Sequence, residues 1–259
     1  MSLNDNKART SQLYLISMGI GDPDNITLRA LKTVEKADVV FASTQLQEKF
    51  AALLKNKELH NSGHGLFTSL ARRRASEDEV IAMEEETRRL IRDAIAADRI
   101  VAVLDYGDPM VYGPQSGYVI EFSDLNPLVI PGVSSFNASN AAIARGLTDG
   151  PNSESVILTA AKIAHDGYKG SDSLVKLSET QSTMAFFTMG VDLPEVTRQL
   201  KQNYAGNTPI AIVFNAGDSE KQSVLEATLD TIVDKTKGEQ LPFEHMIYVG
   251  HFLSANGHK

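Results

Sequence analysis

The chain of 259 residues contains no cysteine. That excludes disulfides, thiolate–metal ligation and a cysteine nucleophile, and it fits a reducing compartment. No apolar run is long enough to span a bilayer. Residues 1–11 are polar, carry Lys7 and Arg9 and lack the apolar segment of a secretory signal. They read as a disordered leader, and the default location is the cytoplasm. Positive charge is scarce too: 25 Lys and Arg against 33 Asp and Glu give a formal net charge of −8. Such a surface offers no electrostatic footprint to nucleic acid or to an anionic membrane. The densest basic cluster, Arg72-Arg73-Arg74, is followed at once by Glu77, Asp78 and Glu79, and reads as a solvated turn. With 42% apolar and 22% charged residues, what remains is an ordinary globular composition. The length allows one large domain or two compact ones.

The N-terminal half alternates short apolar runs with helical patterns. Residues 12–18 (QLYLISM) read as a buried strand entering a turn at Gly19 and Gly21. Residues 27–38, with Leu28, Leu31 and Val34 on one face, read as a helix, and Val39 to Ala42 as the next strand. Strand, glycine turn, helix, strand is the unit that builds parallel sheets. Residues 45–55 look helical and residues 61–65 loop-like. The clearest helix covers residues 77–98, where Glu84–Arg88 and Glu85–Arg89 sit at i,i+4 in the favourable order. Residues 100–104 and 128–131 are further strands, and residues 134–145 are helix-compatible. After Gly150 the pattern loosens. Four strand candidates (residues 155–159, 183–189, 209–215 and 245–250) are spread out, with helices expected in residues 192–204 and 223–237. The expectation is an α/β chain of two domains: a parallel-sheet α/β domain over residues 12–138 and an α+β domain over residues 139–259.

Three turns carry candidate chemistry. The first, Ser17-Met18-Gly19-Ile20-Gly21-Asp22-Pro23, follows the first strand. It can bring backbone N–H groups close to a ligand. It lacks the third glycine of a dinucleotide fingerprint and the Gly-Lys-Ser/Thr of a phosphate loop, and the Asp22 carboxylate would repel a pyrophosphate. The second, Tyr106-Gly107-Asp108-Pro109, leaves the third long strand, where open α/β sheets bind ligands. Asp108 could accept hydrogen bonds from a ribose or a cationic ligand. The third, Pro131-Gly132-Val133-Ser134-Ser135, contains Ser134, a natural cap for the following helix. Each taken alone also reads as an ordinary turn.

Taken in order, these stretches resemble the tetrapyrrole (corrin and porphyrin) methylases. LYLISMGIGDPDNITLRALKTVEKADVVFA is similar to that family's opening block, VAVLDYGDPMVYGP to its Gly-Asp-Pro block and LVIPGVSSFNASNAAIARGLT to its Pro-Gly-Val-Ser/Thr block. TMAFFTMGVDLPEVTRQL, NTPIAIVFNAGDSEKQSVLEATLDTI and MIYVG continue the likeness in the second half. The resemblance implies a two-domain enzyme, a homodimer, with S-adenosylmethionine bound in a cleft between the domains and a methyl group passed to a tetrapyrrole carbon. Carried over by motif, the cofactor would meet Ile20, Tyr106, Gly107, Asp108, Val111, Ser134, Ser135, Met189 and Ala216. Methyl transfer is an in-line displacement that needs alignment more than acid–base groups. A carbon acceptor must still lose a proton, and Asp22, Asp108 and Tyr112 are candidates to assist.

The chain departs from the family at substrate-facing positions more than in the cofactor frame. Ser17 stands where the family has a first glycine, Ile20 where it often has proline, Tyr106 where glycine or serine is common, and Thr188 where tyrosine precedes Met-Gly. Thr159-Ala160-Ala161 stands where many members have a Thr-Gly-His-like strand end. A peptide-backbone methyltransferase of the same fold, and a non-catalytic protein binding the cofactor or a tetrapyrrole, remain as alternatives. No metal is expected: His60 and His64 are spaced i,i+4, but Ser62 and Gly63 between them argue against a rigid helical pair.

Overall fold

The computed structural model describes residues 11–73, 75–150, 154–161, 167–188, 191–239, 241–242 and 244–254. All but Ser11 of the expected leader, and Arg74 of the basic cluster, lie outside them. The chain divides after Ser134 into two compact units.

The first unit runs β1 (Leu13–Ser17), α1 (Leu28–Lys36), β2 (Val39–Ala42), α2 (Thr44–Lys49), α3 (Ala51–Leu54), β3 (Glu58–Asn61), α4 (Glu77–Ala96), β4 (Val101–Asp105), α5 (Gly117–Glu121) and β5 (Leu128–Ile130). Its sheet is parallel throughout, in the order β3-β2-β4-β1-β5. Successive residues of a strand point to opposite faces, and here both faces are covered. Leu13, Leu15, Phe41, Val101 and Val103 pack with Val80, Ile91 and Ala94 of α4 and Tyr118 of α5. Ile16, Val40, Ala102 and Leu104 pack with Ala30 and Val34 of α1, Leu46 of α2 and Leu54 of α3. This two-sided burial is why the strands read as unbroken apolar runs rather than alternating ones. β1 lies between β4 and β5, and the connections that leave the neighbouring strands β1 and β4 run in opposite directions, toward β2 and β5. Open parallel sheets bind ligands outside the carboxyl ends of their strands at such a point.

α4 begins in a capping box, with Ser76 N–H donating to Glu79 Oε2 at 2.9 Å and Glu79 N–H to Ser76 Oγ at 3.4 Å. Its expected Glu84–Arg88 pair is formed at 3.5 Å. Arg89 instead turns to Glu86 at 2.6 Å and Asp93 at 3.1 Å, where the spacing pairs it with Glu85. All three of these residues are exposed, so little energy separates the alternatives.

The second unit runs α6 (Ser135–Ile143), β6 (Val156–Ala160), α7 (Leu174–Ser178), β7 (Thr183–Phe187), α8 (Leu193–Leu200), β8 (Pro209–Phe214), β9 (Ser223–Thr228), α9 (Ile232–Lys235) and β10 (His245–Val249). Its sheet has the order β6-β7-β10-β8-β9; β6 and β7 are parallel and the other neighbours antiparallel. Met184, Phe186, Ile210, Ile212, Ile247 and Val249 form its core with Val196 and Leu200 of α8 and Ile232 of α9. The helix expected within residues 223–237 is α9, confined to Ile232–Lys235; ahead of it Ser223–Thr228 is an edge strand, β9, paired antiparallel with β8. With three of its six residues exposed and none fully buried, this edge strand carries no strong apolar alternation, so pattern alone misses it. The same holds for β3, whose Glu58–Asn61 lies at the outer edge of the first sheet. The helix expected over residues 45–55 is broken at Phe50 into α2 and α3. No described helix is long and apolar enough to cross a membrane.

Candidate functional site

The three turns seen in the sequence stand side by side because β1, β4 and β5 are neighbours in one parallel sheet. They are tied to one another by the residues that make them. Met18 N–H donates to Asp105 O at 2.9 Å, and Gly107 N–H to Gly19 O at 2.8 Å, so the first and second turns form a short antiparallel bridge. Ser17 Oγ donates to Gly107 O at 2.5 Å and accepts from Gly19 N–H at 3.2 Å. Gly21 N–H donates to Tyr106 Oη at 3.2 Å. Lys49, at the end of α2, donates to Gly21 O, and its ammonium lies 5.4 Å from the Tyr106 ring centroid, within cation–π range.

Glycine is required where the backbone is left-handed. Gly19, Gly21 and Gly107 have φ of 69°, 67° and 76°. A side chain at Gly19 would run into the backbone of Asn25, whereas one at Gly107 would meet only Ser134 Cα, at 3.8 Å. Open space beside Gly107 is what a closely approaching ligand requires. The departure at Ser17 is absorbed by Gly132, since any side chain there would lie 2.7 Å from Ser17 Cβ.

Asp108 joins the second and third turns. One carboxylate oxygen accepts from Met110 N–H at 2.9 Å and the other from Gly132 N–H at 3.0 Å. Each oxygen keeps a second lone pair. Val111 N–H closes the turn on Asp108 O at 3.1 Å, and Ser134 is buried behind Gly107. Ile20 is buried, with its carbonyl accepting from Asn25 Nδ2 at 2.7 Å. Beyond the turn the loop projects Met110 and Tyr112 into solvent, and Tyr112 is held at φ 58°, an uncommon conformation for a side-chain-bearing residue. Asp22 stands at the start of a single 3-10 turn over Pro23–Asn25, with no side-chain cap bond to it.

Thus Ile20, Asp22, Tyr106, Gly107, Asp108, Val111, Tyr112 and Ser134 all lie in the first unit, around the carboxyl ends of its central strands. Ser135 opens α6, and Ala216 is buried in the turn after β8; both belong to the second unit. Met189 lies outside the described residues. Thr188, just before it, donates through Oγ1 to His245 O at 2.6 Å. An open depression of about 780 Å³ on the second unit is bordered by Thr188, Asp192, Lys237, Pro242 and His245.

Pattern reading passed over one charged group. Asp105 ends β4 with 2% exposure. Its Oδ1 accepts from Tyr106 N–H at 2.9 Å and its Oδ2 from Gln115 N–H at 3.0 Å. Burial pushes its carboxyl up to about 7; the two backbone N–H groups oppose that rise, and Asp108 adds to it. The available signal was an acid closing the apolar run IVAVL. His60, on β3, stacks on Phe41 with ring centroids 5.0 Å apart and bonds Glu58 at 2.8 Å. Among the described residues no group of three or more His, Asp or Glu side chains is arranged to hold a metal ion.

The family model of the tetrapyrrole (corrin/porphyrin) methylases matches residues 12–233. The chain is 30% identical to the cobalt-precorrin-4 C(11)-methyltransferase of Methanocaldococcus jannaschii, over 94% of this chain and 88% of that protein. It is 30% identical to the uroporphyrinogen-III C-methyltransferase of Priestia megaterium, over 94% of this chain and 98% of that protein. Among solved structures, a cobalt-precorrin-4 methyltransferase aligns with a TM-score of 0.75 at 24% identity, covering 93% of this chain and 95% of its own. A Thermus thermophilus uroporphyrin-III C-methyltransferase complexed with S-adenosylhomocysteine aligns with a TM-score of 0.65 at 23% identity, covering 93% and 98%. These two likenesses bear on the fold.

Proposed function

Starting from the chain's membership of the tetrapyrrole methylase family, we propose that it transfers the methyl group of S-adenosylmethionine to a carbon of a precorrin- or porphyrin-like tetrapyrrole. The observation that carries this reading is the tying together of the β1, β4 and β5 turns, with open space beside Gly107 at their centre. When bound, the cofactor supplies an electrophilic methyl on a sulfonium. The chain supplies position. Ile20 and Val111 offer apolar wall, Gly107 allows close backbone approach, and Asp108, bonded to Met110 and Gly132 N–H, holds the second and third turns together. Ser134 would contribute from the first unit, and Ser135, Met189 and Ala216 from the second. Alignment of two reactants in a dry site is the main source of acceleration for such a displacement. Asp22, Asp108 and Tyr112 would assist the loss of a proton from a carbon acceptor, the two carboxylates as its acceptors and the phenol as a hydrogen-bonding partner.

Ser17, Ile20 and Tyr106 fit this use despite departing from the family's residues. Ser17 and Tyr106 add hydrogen bonds that hold the glycine turn, and Ile20 keeps the turn apolar. A cytoplasmic homodimer belongs to the same reading, supported by family likeness and composition.

The acceptor is tested by incubating the protein with methyl-labelled S-adenosylmethionine and, in turn, uroporphyrinogen III and cobalt-precorrin-4. Label should appear on carbon in one of them, read by mass spectrometry and NMR. Folded protein that binds S-adenosylhomocysteine yet labels neither would overturn the tetrapyrrole assignment while leaving the cofactor in place.

A further inference from the structure

A buried carboxylate is costly, and chains keep one where its two oxygens hold something a neutral side chain cannot. Asp105 holds both ends of one loop. Tyr106 N–H, on Oδ1, is the loop's first amide; Gln115 N–H, on Oδ2, is the first amide past its end. Between them lie Tyr106, Gly107, Asp108 and Val111, together with the exposed Met110 and Tyr112. We propose that Asp105 is a positioning residue for the cofactor: one carboxylate pins the entry and exit of residues 106–114 and so sets where that loop stands over the strand ends.

The surroundings of Asp105 support the clamp. Gly113 leaves room for it, because a Cβ there would lie 2.7 Å from Asp105 Oδ2 and 2.6 Å from Pro109 Cα. Gln115, 3% exposed, extends the far end outward: its Nε2 donates to Ser62 Oγ at 3.0 Å and Gly63 O at 2.9 Å. Tyr118 Oη donates to Ser62 O at 2.7 Å, fixing the segment on which Gln115 rests. The loop's far end is thereby anchored to the chain that follows β3, and its near end to β4. Asparagine has nearly the shape of aspartate but one acceptor oxygen, so its amide would confront one of the two N–H groups. Displacement of the loop would act on the ligand through Gly107 and Asp108 without Asp105 touching it.

This proposal rests on the S-adenosylmethionine reading, and its test separates the two. Wild-type protein is titrated with S-adenosylhomocysteine first, followed by Asp105→Asn. The variant should bind about tenfold more weakly or worse, and in turnover KM for S-adenosylmethionine should rise by a similar factor while kcat changes less than about threefold. Hydrogen exchange should accelerate in peptides covering residues 106–115 and not across the remaining strands of the sheet. Unchanged affinity in a folded Asp105→Asn, or exchange that accelerates evenly over the first unit, would overturn the positioning role. Should the variant not fold, wild-type protein decides: saturating S-adenosylhomocysteine should slow exchange in residues 106–115, and a loop indifferent to ligand would overturn the proposal. Wild-type protein that binds no S-adenosylhomocysteine would remove the cofactor reading itself, and this inference with it.

Discussion

Gly19→Ala should lose about 3 kcal/mol of stability and all measurable cofactor binding, while Gly107→Ala should lose only about 1 kcal/mol and still fail to bind normally. Both glycines are left-handed, at φ 69° and 76°, and that conformation alone costs a residue with a Cβ roughly 1–2 kcal/mol. What separates them is the space each faces. At Gly19 an added methyl meets Asn25, with the carbonyl carbon at 2.7 Å and Ile26 N at 3.2 Å. That is backbone, and the backbone there is held by the Asn25 and Ile26 N–H bonds of the 3-10 turn. At Gly107 nothing lies nearer than Ser134 Cα at 3.8 Å. A methyl there occupies space the protein leaves open, so it should interfere with ligand more than with folding. Urea midpoints and S-adenosylhomocysteine titrations on both variants would show this crossed pattern. Equal stability losses would mean that the Asn25 backbone yields easily. Normal binding by Gly107→Ala would mean that ligand does not approach that turn.

The stability gap between wild type and Asp105→Asn should change with pH by up to about 4 kcal/mol. Burial raises the Asp105 carboxyl to about 7 in the folded chain from its ordinary 3.8. A raised carboxyl binds more protons in the folded state than in the unfolded state. Its contribution to stability is therefore fully present below 3.8 and is lost as pH rises through about 7. Wild type should weaken relative to the variant across that window and hold a constant difference above it. Asp108, on the same loop, is the charged group acting on this carboxyl and adds to the rise. Denaturant unfolding of both proteins at a series of pH values from acid to slightly alkaline gives the curve. A gap that does not move with pH would show that the folded chain ionises Asp105 at an ordinary value, and with it that the site is wetter than its burial implies.

The central strands were legible because each is buried on both faces, which leaves a continuous apolar run in the sequence. β1, β2 and β4 are of this kind, and so are β7, β8 and β10 in the second unit; β5 is an edge strand that was legible from its short apolar run, LVI. β3 and β9 were not legible. They are edge strands without a fully buried residue, although Leu225 and Ala227 of β9 pack against the core, and their hydrogen-bonding partners define them. The break between α2 and α3 falls at Phe50, a buried residue with non-helical backbone, which spacing does not encode. At the site, the glycine turns could be read because a left-handed backbone position leaves its mark as glycine. The side chains that tie the turns together leave no comparable mark. Ser17 and Gly107 are 90 residues apart, Gly21 and Tyr106 are 85 apart, and Lys49 reaches the same glycine from another helix. Asp105 looked like the end of a strand. Its partner Gln115 contributes through the backbone, where the identity of the residue gives no sign.

The most direct measurement is a calorimetric titration of the folded protein with S-adenosylhomocysteine, repeated with NAD. Saturable binding of the first in the micromolar range and none of the second is the predicted result, since the turns that follow β1, β4 and β5 lack a pyrophosphate-binding third glycine and place Asp22 where a phosphate would be repelled. Absence of S-adenosylhomocysteine binding, or equal binding of NAD, would contradict the assignment of these turns to S-adenosylmethionine.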